Sequence, residues 1–309
     1  MSSAGRNGLL VVLAAGAVAA GTIAVWHDTG TPASPRIATA FSKFPAPPDG
    51  ALVVAREAGP NVLALGIVPR RHALVLQASV LDGNGRGVSG LRVVFSVRGV
   101  RRVSAGCGAG CYRATVPVSG RPDQVLVTGA SPTGWRVALP AVWPAPDGAA
   151  IMARAGRVWR ALRSVAYVEH LAADPTNRQT SDWRVAAPDR AAYSIRGGGS
   201  QAIVIGARRW DRSTPSGRWL ESQQTAPLRQ PVPFWVAVSD AHVLGTVATS
   251  GRAAWLVSFF DPRTPAWFEA RVEKRTGHTL ELRMFAAAHF MRHVYRSFDD
   301  APAIVPPPR

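Results

Sequence analysis

Motifs of catalysis are missing from this sequence, and their absence narrows the possible functions. The nucleophile elbow G-x-S-x-G, the zinc motif H-E-x-x-H and the Walker phosphate loop do not occur in the 309 residues. Glu169 and His170 form an isolated acid–imidazole pair, and on a strand two adjacent side chains point to opposite faces. The sequence therefore does not predict an enzyme.

Long apolar runs are equally scarce, and the main one is Gly8–Val25, preceded only by Arg6 as a basic residue. This is the pattern of an export signal. As a helix it is about 27 Å long, enough to cross a bilayer core. It is either a retained membrane anchor or a signal cleaved near residues 17–19 (Ala-Val-Ala). We assign residues 1–26 to this leader and the proline-rich residues 27–49 to an extended linker. No cysteine follows the run, which excludes a lipobox anchor.

Lysine is nearly absent, since only Lys43 and Lys274 occur, yet the chain is strongly basic. It has 36 basic and 19 acidic side chains, a formal charge of +17 and a pI near 11.5. An excess of arginine with much alanine, glycine and proline is typical of a GC-rich genome, so codon usage explains part of this charge. The rest favours contact with anionic lipid headgroups or cell-wall polymers. No nucleic-acid motif is present, and no nucleic-acid partner is expected.

The only two cysteines are Cys107 and Cys111. In an oxidising compartment, two cysteines this close in sequence predict a disulfide that closes a short hairpin loop. Gly108 and Gly110 allow the tight backbone that this loop requires. The alternative is a C-x3-C thiolate pair that binds copper, although it would lack further ligands nearby.

The first folded segment, residues 50–143, contains about seven short strand-like runs and no helix pattern. Asp82–Gly85 is a strong turn signal, and Leu91–Val97 alternates apolar and polar residues as a half-buried strand does. This pattern predicts a small β-sandwich of the immunoglobulin type. Prolines in residues 140–146 mark the boundary of this domain.

The second segment, residues 150–306, opens with a pattern of a different period. Ala150–Arg163 predicts an amphipathic helix, with arginines on one side and a single apolar stripe. The stripe consists of Ile151, Val158, Trp159 and Leu162. Eleven strand-like runs follow, with a proline-rich passage at Pro227–Pro233. One helix followed by a long antiparallel meander predicts an α+β domain whose sheet curls over something apolar.

Particular segments resemble known families. Phe44–Val53 and Cys107–Arg113 resemble the exported C-terminal part of actinobacterial copper-resistance D-type membrane proteins, where an immunoglobulin-like module follows a multi-span region. Ile205–Trp219, Phe260–Trp267 and Tyr295–Pro306 resemble LolA-like lipoprotein carriers. This second resemblance implies a half-barrel, a curved antiparallel sheet around a helix, with an apolar cavity for acyl chains.

One cluster carries metal-binding residue types. If residues 289–295 form a strand, then His289, Met291, His293 and Tyr295 share one face. Imidazole and thioether groups together suit copper, so these two histidines and Met291 are candidate copper ligands. The alternative is that they form hydrogen bonds within the sheet or line a surface, while Phe290 faces the interior.

Tryptophans are concentrated in the second segment. Each alone is explained by core packing, but together they fit a wall around a bulky apolar ligand. The candidate lipid-binding residues are Trp159, Trp210, Trp219, Trp255 and Trp267.

Two functions of different class are therefore predicted. The first is an exported, membrane-tethered protein that binds a lipid or lipoprotein acyl chain in an apolar cavity of several hundred Å³ and needs no cofactor. The second is a copper-binding accessory protein of the cell envelope. A third possibility is an envelope scaffold that contacts a protein partner and binds no small ligand. A helix that fills the sheet completely would favour the scaffold.

Overall fold

The computed structural model describes residues 45–224 and 228–308. The leader and nearly all of the linker lie outside the described residues, so the membrane-anchor and cleaved-signal hypotheses both stay predictions. Within the described part, no helix is both long and apolar enough to cross a bilayer.

The first domain consists of two antiparallel sheets packed face to face. Its strands are β1 (Leu52–Ala58), β2 (Asn61–Arg70), β3 (Ala73–Leu81), β4 (Val94–Val97), β5 (Val100–Val103), β6 (Ala105–Gly108), β7 (Cys111–Pro117), β8 (Gln124–Thr128) and β9 (Trp135–Ala138). The sheets have the orders β1-β2-β3-β7-β6 and β5-β4-β8-β9. Leu63, Leu65, Leu76, Phe95 and Val127 lie between them in one buried core. A two-layer β-sandwich, as predicted, is therefore present.

Strand boundaries differ from the prediction in two places. The alternating segment Leu91–Val97 is strand only from Val94, although Val93 is already fully buried. Strands β5 (Val-Arg-Arg-Val) and β6 (Ala-Gly-Cys-Gly) were not predicted; both are only four residues long and almost wholly exposed. Cross-strand hydrogen bonds rather than burial hold them in the sheets.

The predicted disulfide is present and closes the β6–β7 hairpin. The Cα atoms of Cys107 and Cys111 are 5.0 Å apart. Gly110 has a φ of +68°, and a Cβ atom there would lie 2.4 Å from the carbonyl oxygen of Val80. Only glycine fits this position, since a side chain would meet backbone of the neighbouring strand.

The second domain is one helix on an eleven-stranded antiparallel sheet. The elements are α1 (Ala149–Ala161), β10 (Ser164–Ala172), β11 (Arg178–Ala186), β12 (Arg190–Ile195), β13 (Gln201–Ile205), β14 (Arg208–Arg212), β15 (Leu220–Gln223), β16 (Ser239–Thr249), β17 (Arg252–Asp261), β18 (Ala266–Glu273), β19 (Thr279–Ala286) and β20 (His289–Arg296). The sheet order is β15-β14-β13-β12-β11-β10-β20-β19-β18-β17-β16. This mostly-β architecture with one helix agrees with the predicted class.

Helix α1 packs through a stripe that agrees only in part with the predicted one, of which Trp159 and Leu162 are buried as expected. Its buried residues are Met152, Ala155, Gly156 and Trp159, which recur at i, i+3, i+4 and i+7. Ile151 and Val158, which we expected in the stripe, are only half-buried. Between the large buried side chains of Met152 and Trp159, the small residues Ala155 and Gly156 let the helix backbone approach the sheet.

The sheet curls around the helix. Ala191 and Val204, from β12 and β13, belong to the same core as Val243 and Val257, from β16 and β17. In a flat sheet, strands β12 and β16 would lie about 34 Å apart, whereas a helix is only about 10 Å wide. We call the side of the sheet that carries α1 the helix face, and the opposite side the outer face.

The first domain packs on the outer face. Val53 and Ala64, from β1 and β2, form one buried cluster with Phe260, Trp267 and Phe290 of the large sheet. Strand β2 is consequently buried on both of its faces. At the rim, the Glu57 carboxylate pairs with Arg178 at 3.0 Å, and the Gly50 amide donates to Asp240 at 2.7 Å.

Candidate functional site

The helix face of the sheet is lined with aromatic side chains near its centre. Tyr167 on β10 pairs in register with Trp183 on β11 and with Tyr295 on β20, so the three side chains lie side by side. The Tyr167 and Trp183 rings are stacked at 5.8 Å, and Tyr295 meets the helix residue Trp159 edge-on at 5.0 Å. This aromatic floor joins the helix to the middle of the sheet.

A charged network lies buried within this floor. The Glu169 carboxylate and the His293 ring are each only 1% exposed, and their nearest atoms, Oε1 and Nε2, are 2.9 Å apart. The second carboxylate oxygen of Glu169 accepts hydrogen bonds from the Ser181 hydroxyl at 2.9 Å and the Trp183 indole at 3.0 Å. The Tyr295 hydroxyl lies 2.8 Å from Nδ1 of His293. Every oxygen of the buried carboxylate is therefore satisfied.

These contacts decide the charge state of the network. Burial opposes the ionisation of Glu169, but the hydrogen bond and charge of His293, together with the Ser181 and Trp183 donors, outweigh it and lower the pKa of the carboxyl. An ionised carboxylate only accepts hydrogen bonds, so Nε2 of His293 carries a proton. Burial, and then the charge of Glu169, raise the pKa of both Tyr167 and Tyr295 well above 10.0.

A segment without regular structure covers this floor. Strands β15 and β16 are the two edges of the sheet and are consecutive in sequence, and described residues between them, such as Leu228 and Trp235, belong to the core on the helix face. We call residues 228–238 of this connection the strap. The Gln230 amide donates to the carbonyl of Pro188 at 2.9 Å, and the Val236 amide donates to Asp261 at 2.7 Å. Since Pro188 and Asp261 lie at opposite ends of the sheet, the strap runs diagonally over it.

The strap packs apolar side chains against the core on the helix face. Trp235 is 5% exposed and meets Phe259 edge-on, with ring centroids 6.0 Å apart. Phe234 lies edge-on to His293 at 4.9 Å, and so caps the buried network. Leu228 joins the same core. The helix and the strap together cover the helix face.

The wall beside the strap is polar. Arg209 and Asp211 on β14 form a two-pronged ion pair with both distances 2.6 Å, and the Arg209 side chain is mostly buried. Both side chains share the sheet face of Tyr193, because Tyr193 pairs with Ala202, and Ala202 pairs with Asp211. The helix face therefore grades from an apolar region near α1 to a charged region near β14.

The five candidate tryptophans do not form one wall. Trp159 and Trp255 lie on the helix face, packed in or against its core. Trp267 lies in the cluster between the two domains. Trp210 shares the outer face, because it pairs with Ile203 and not with the residues of the aromatic floor. Trp219 is half-buried and stacks under the guanidinium of Arg212 at 4.4 Å.

The candidate copper ligands share one face of β20, as predicted, but His293 is already engaged. Met291 and Tyr295 face the helix core while Phe290 faces the first domain, so His289, Met291, His293 and Tyr295 do share one face. Both ring nitrogens of His293 take part in hydrogen bonds, which leaves no free lone pair for a metal. Among residues 45–224 and 228–308, no three His, Cys, Asp or Glu side chains are grouped to hold a metal ion. Copper binding is therefore not supported.

Two cavities in the described part of the chain can be compared with the predicted apolar cavity under the helix, and neither of them lies there. The larger, about 530 Å³, is lined by outer-face residues such as Arg184 and Arg212. The smaller, about 250 Å³, lies beside the disulfide. On the helix face, side chains of α1 and the strap occupy the space where we expected a cavity.

Sequence reasoning missed two parts of this site. We noted Glu169 only as half of an isolated pair with His170, and its partner His293 lies 124 positions away. One signal was available, since Glu169 follows the apolar run Val165–Val168 and has the strand parity of Val165 and Tyr167. The strap was recognised only as a proline-rich passage, although Phe234 and Trp235 follow its prolines directly.

No family model matches the chain, and no curated protein matches it. Among solved structures, it is similar to LprF from Mycobacterium bovis, at 12% identity and a TM-score of 0.39 over 53% of this chain and 99% of that one. It is also similar to the lipoprotein LppX from Mycobacterium tuberculosis, at 9% identity and a TM-score of 0.38 over 50% and 97% of the two chains. A LolA superfamily protein from Nitrosomonas europaea matches at 9% identity and a TM-score of 0.25 over 52% and 96%.

Proposed function

We propose that the chain is an exported, LolA-like binding protein whose second domain takes up a lipid or lipoprotein acyl chain on the helix face. The observation that carries this proposal is the strap. It is an irregular segment that covers an aromatic floor, and its apolar side chains occupy the place that an acyl chain would take. The role is binding, without catalysis and without a cofactor.

The strap is attached in a way that suits reversible displacement. Its described ends are held by backbone amides, at Pro188 on one side and at Asp261 on the other, where the Ala237 amide also donates at 3.2 Å. Net contributions of such hydrogen bonds are about 1 kcal/mol each. Displacing Phe234 and Trp235 exposes apolar surface, and an incoming acyl chain would bury that surface again at about 0.8 kcal/mol per CH₂. Ligand burial thereby offsets the cost of opening.

The test is to loosen the strap at one anchor. Asp261→Ala removes the acceptor of two strap amides and also that of the Arg263 and Thr264 amides in the turn after β17, whereas Asp261→Asn keeps one oxygen, which serves one of these two pairs. In the full chain, we expect an environment-sensitive acyl probe, dansyl-undecanoic acid, to bind more tightly to Asp261→Ala than to Asp261→Asn. If neither the parent nor either variant binds the probe, and circular dichroism shows that all three are folded, the result would contradict the proposal and favour a scaffold.

For the first domain, we propose an immunoglobulin-like identity. Strands β2-β3-β7-β6 have the order of strands A-B-E-D, and β5-β4-β8-β9 have the order C′-C-F-G. Strand β1 is then an additional edge strand, and it is the one that packs against the second domain. An extracytoplasmic location is supported by the disulfide and by the export pattern of residues 1–26.

A further inference from the structure

The outer face of the large sheet carries a cavity, on the side of the sheet away from the strap. This outer pocket, about 530 Å³, is lined by Asp182, Arg184, Gln201, Arg212, Trp219 and Arg296. Ala192, Ile203 and Pro302 of the C-terminal segment also line it. The register places these charged side chains on the side of the sheet opposite to the buried Glu169 network.

The negative charge in the outer pocket is already neutralised. Asp182 accepts two hydrogen bonds from Arg196, at 2.7 and 2.8 Å, and a third from Arg296 at 3.1 Å. The Arg196 hydrogen bonds, followed by its charge and that of Arg296, lower the pKa of the carboxyl against the effect of burial. The ion pairs of Asp182 are thus made with Arg196 and Arg296 and not with the other arginines of the pocket.

Two arginines remain without an anionic partner. Arg184 donates only to the carbonyl of Ala303, at 3.4 Å, and Arg212 donates to the amide oxygen of Gln201. Within the described ranges, neither guanidinium forms a salt bridge. Each retains donors that can point into the pocket, because a guanidinium carries five N–H groups.

The pocket also offers apolar contact beside these cations. The guanidinium of Arg212 lies over the ring of Trp219 and so helps to position it. Ala192, Ile203 and Pro302 add aliphatic surface. Arginine forks fit the oxygens of a phosphate group in two-pronged hydrogen bonds. We propose that the outer pocket binds a phosphate monoester attached to an apolar body, with Arg184 and Arg212 on the phosphate and Trp219 against the apolar part.

The test compares three probes by calorimetry on the full chain. They are dihexanoyl phosphatidic acid below its micellar concentration, dihexanoyl phosphatidylcholine, which shields its phosphate with a choline group, and inorganic phosphate. We expect phosphatidic acid to bind best. Arg184→Gln with Arg212→Gln should weaken it about tenfold or more, since two charge-assisted hydrogen-bond partners are lost. Trp219→Ala should weaken phosphatidic acid but not inorganic phosphate.

The matched control is Arg70→Gln with Arg71→Gln, which removes the same charge from two exposed arginines of the first domain. It should leave phosphatidic acid binding unchanged. Equal weakening by the control pair would show that only net charge matters and would overturn the proposal. Equal binding of both lipids, unaffected by the Arg184 and Arg212 substitutions, would also overturn it and assign the lipid to the helix face. Binding of inorganic phosphate as tight as that of phosphatidic acid would refute the apolar part of the site.

Discussion

Glu169 shows how a charge is kept inside an aromatic core. An unpaired buried carboxylate would cost several kcal/mol, so such groups survive only with complete hydrogen bonding. Here His293 on β20, and Ser181 and Trp183 on β11, supply those hydrogen bonds. Phe234 closes the network from above. Because the partners come from separate strands, the network also fixes how β10, β11 and β20 align.

The first prediction concerns the pH dependence of stability. The pKa of Glu169 is lower in the folded than in the unfolded protein, so its contribution is complete above the ordinary glutamate value of about 4.3. It is lost as the pH falls through the folded value, because the unfolded state then binds more protons. Glu169→Gln should cost about 1–3 kcal/mol near neutral pH, from the lost charged hydrogen bonds.

Urea unfolding of parent and variant between pH 7 and pH 3 measures this difference. The gap in free energy of unfolding should shrink as the pH falls. Glu221→Gln, at an exposed position paired with Arg208, is the control and should leave the unfolding profile nearly unchanged. A gap between parent and Glu169→Gln that stays constant with pH would argue against an ionised Glu169.

At the scale of elements, the strap is positioned by its contacts with the sheet and not by regular secondary structure of its own. It has no helix or strand, and its place is set by two anchors and by Phe234 and Trp235. Segments with few backbone partners open at lower free energy than central strands do. The strap is therefore expected to open separately from the sheet.

The second prediction concerns this local opening. Amide hydrogens of residues 228–238 should exchange faster than those of β18, which is paired on both sides. Addition of dansyl-undecanoic acid should increase exchange in the strap and leave β18 unchanged. Hydrogen exchange followed by mass spectrometry measures both; slower exchange of the strap with the probe present would mean that the ligand binds over a closed strap.

The third prediction concerns the β6–β7 hairpin. The loop closed by Cys107 and Cys111 is short, so the chain-entropy model gives the disulfide only about 2 kcal/mol. Cys107→Ser with Cys111→Ser should lower the stability of the sandwich by about that amount and keep its circular dichroism. Thiol labelling of the unreduced, denatured parent should find no reactive thiol, and two labelled cysteines would disprove the bond.

At the scale of the molecule, the two domains are joined by an apolar interface rather than by the linking chain alone. The cluster around Trp267 buries side chains from both domains, and the connecting segment is pinned where the Gly148 amide donates to Ala241 at 2.8 Å. Apolar surface of this kind couples domains more firmly than polar contacts do. The domains are expected to unfold together.

The fourth prediction tests that coupling. Trp267 is 2% exposed, and Trp267→Ala should cost about 3–5 kcal/mol by leaving a cavity in the interface. Unfolding should change from one transition to two, as seen by calorimetry. Trp219→Ala, at a half-exposed position outside the interface, should preserve a single transition. A single transition in Trp267→Ala as well would show that the interface is not what couples the domains.

The sequence alone determined the local order of this protein. Period-two alternation placed His289, Met291, His293 and Tyr295 on one face, and the spacing of Cys107 and Cys111 predicted their bond. These are properties of neighbouring residues, which backbone geometry constrains directly. The sequence likewise predicted eleven strands after one helix, because each strand carries its own signal between turns.

Only the tertiary structure decided which surfaces meet. The pairing of Glu169 with His293 follows from β10 lying beside β20, a contact between strands more than one hundred residues apart. Trp159, Trp210 and Trp267 have the same chemistry, yet they lie on the helix face, the outer face and the domain interface. A tryptophan in the sequence predicts a side chain that is at least partly buried. The curl of the sheet and the packing of the first domain determine which neighbours bury it.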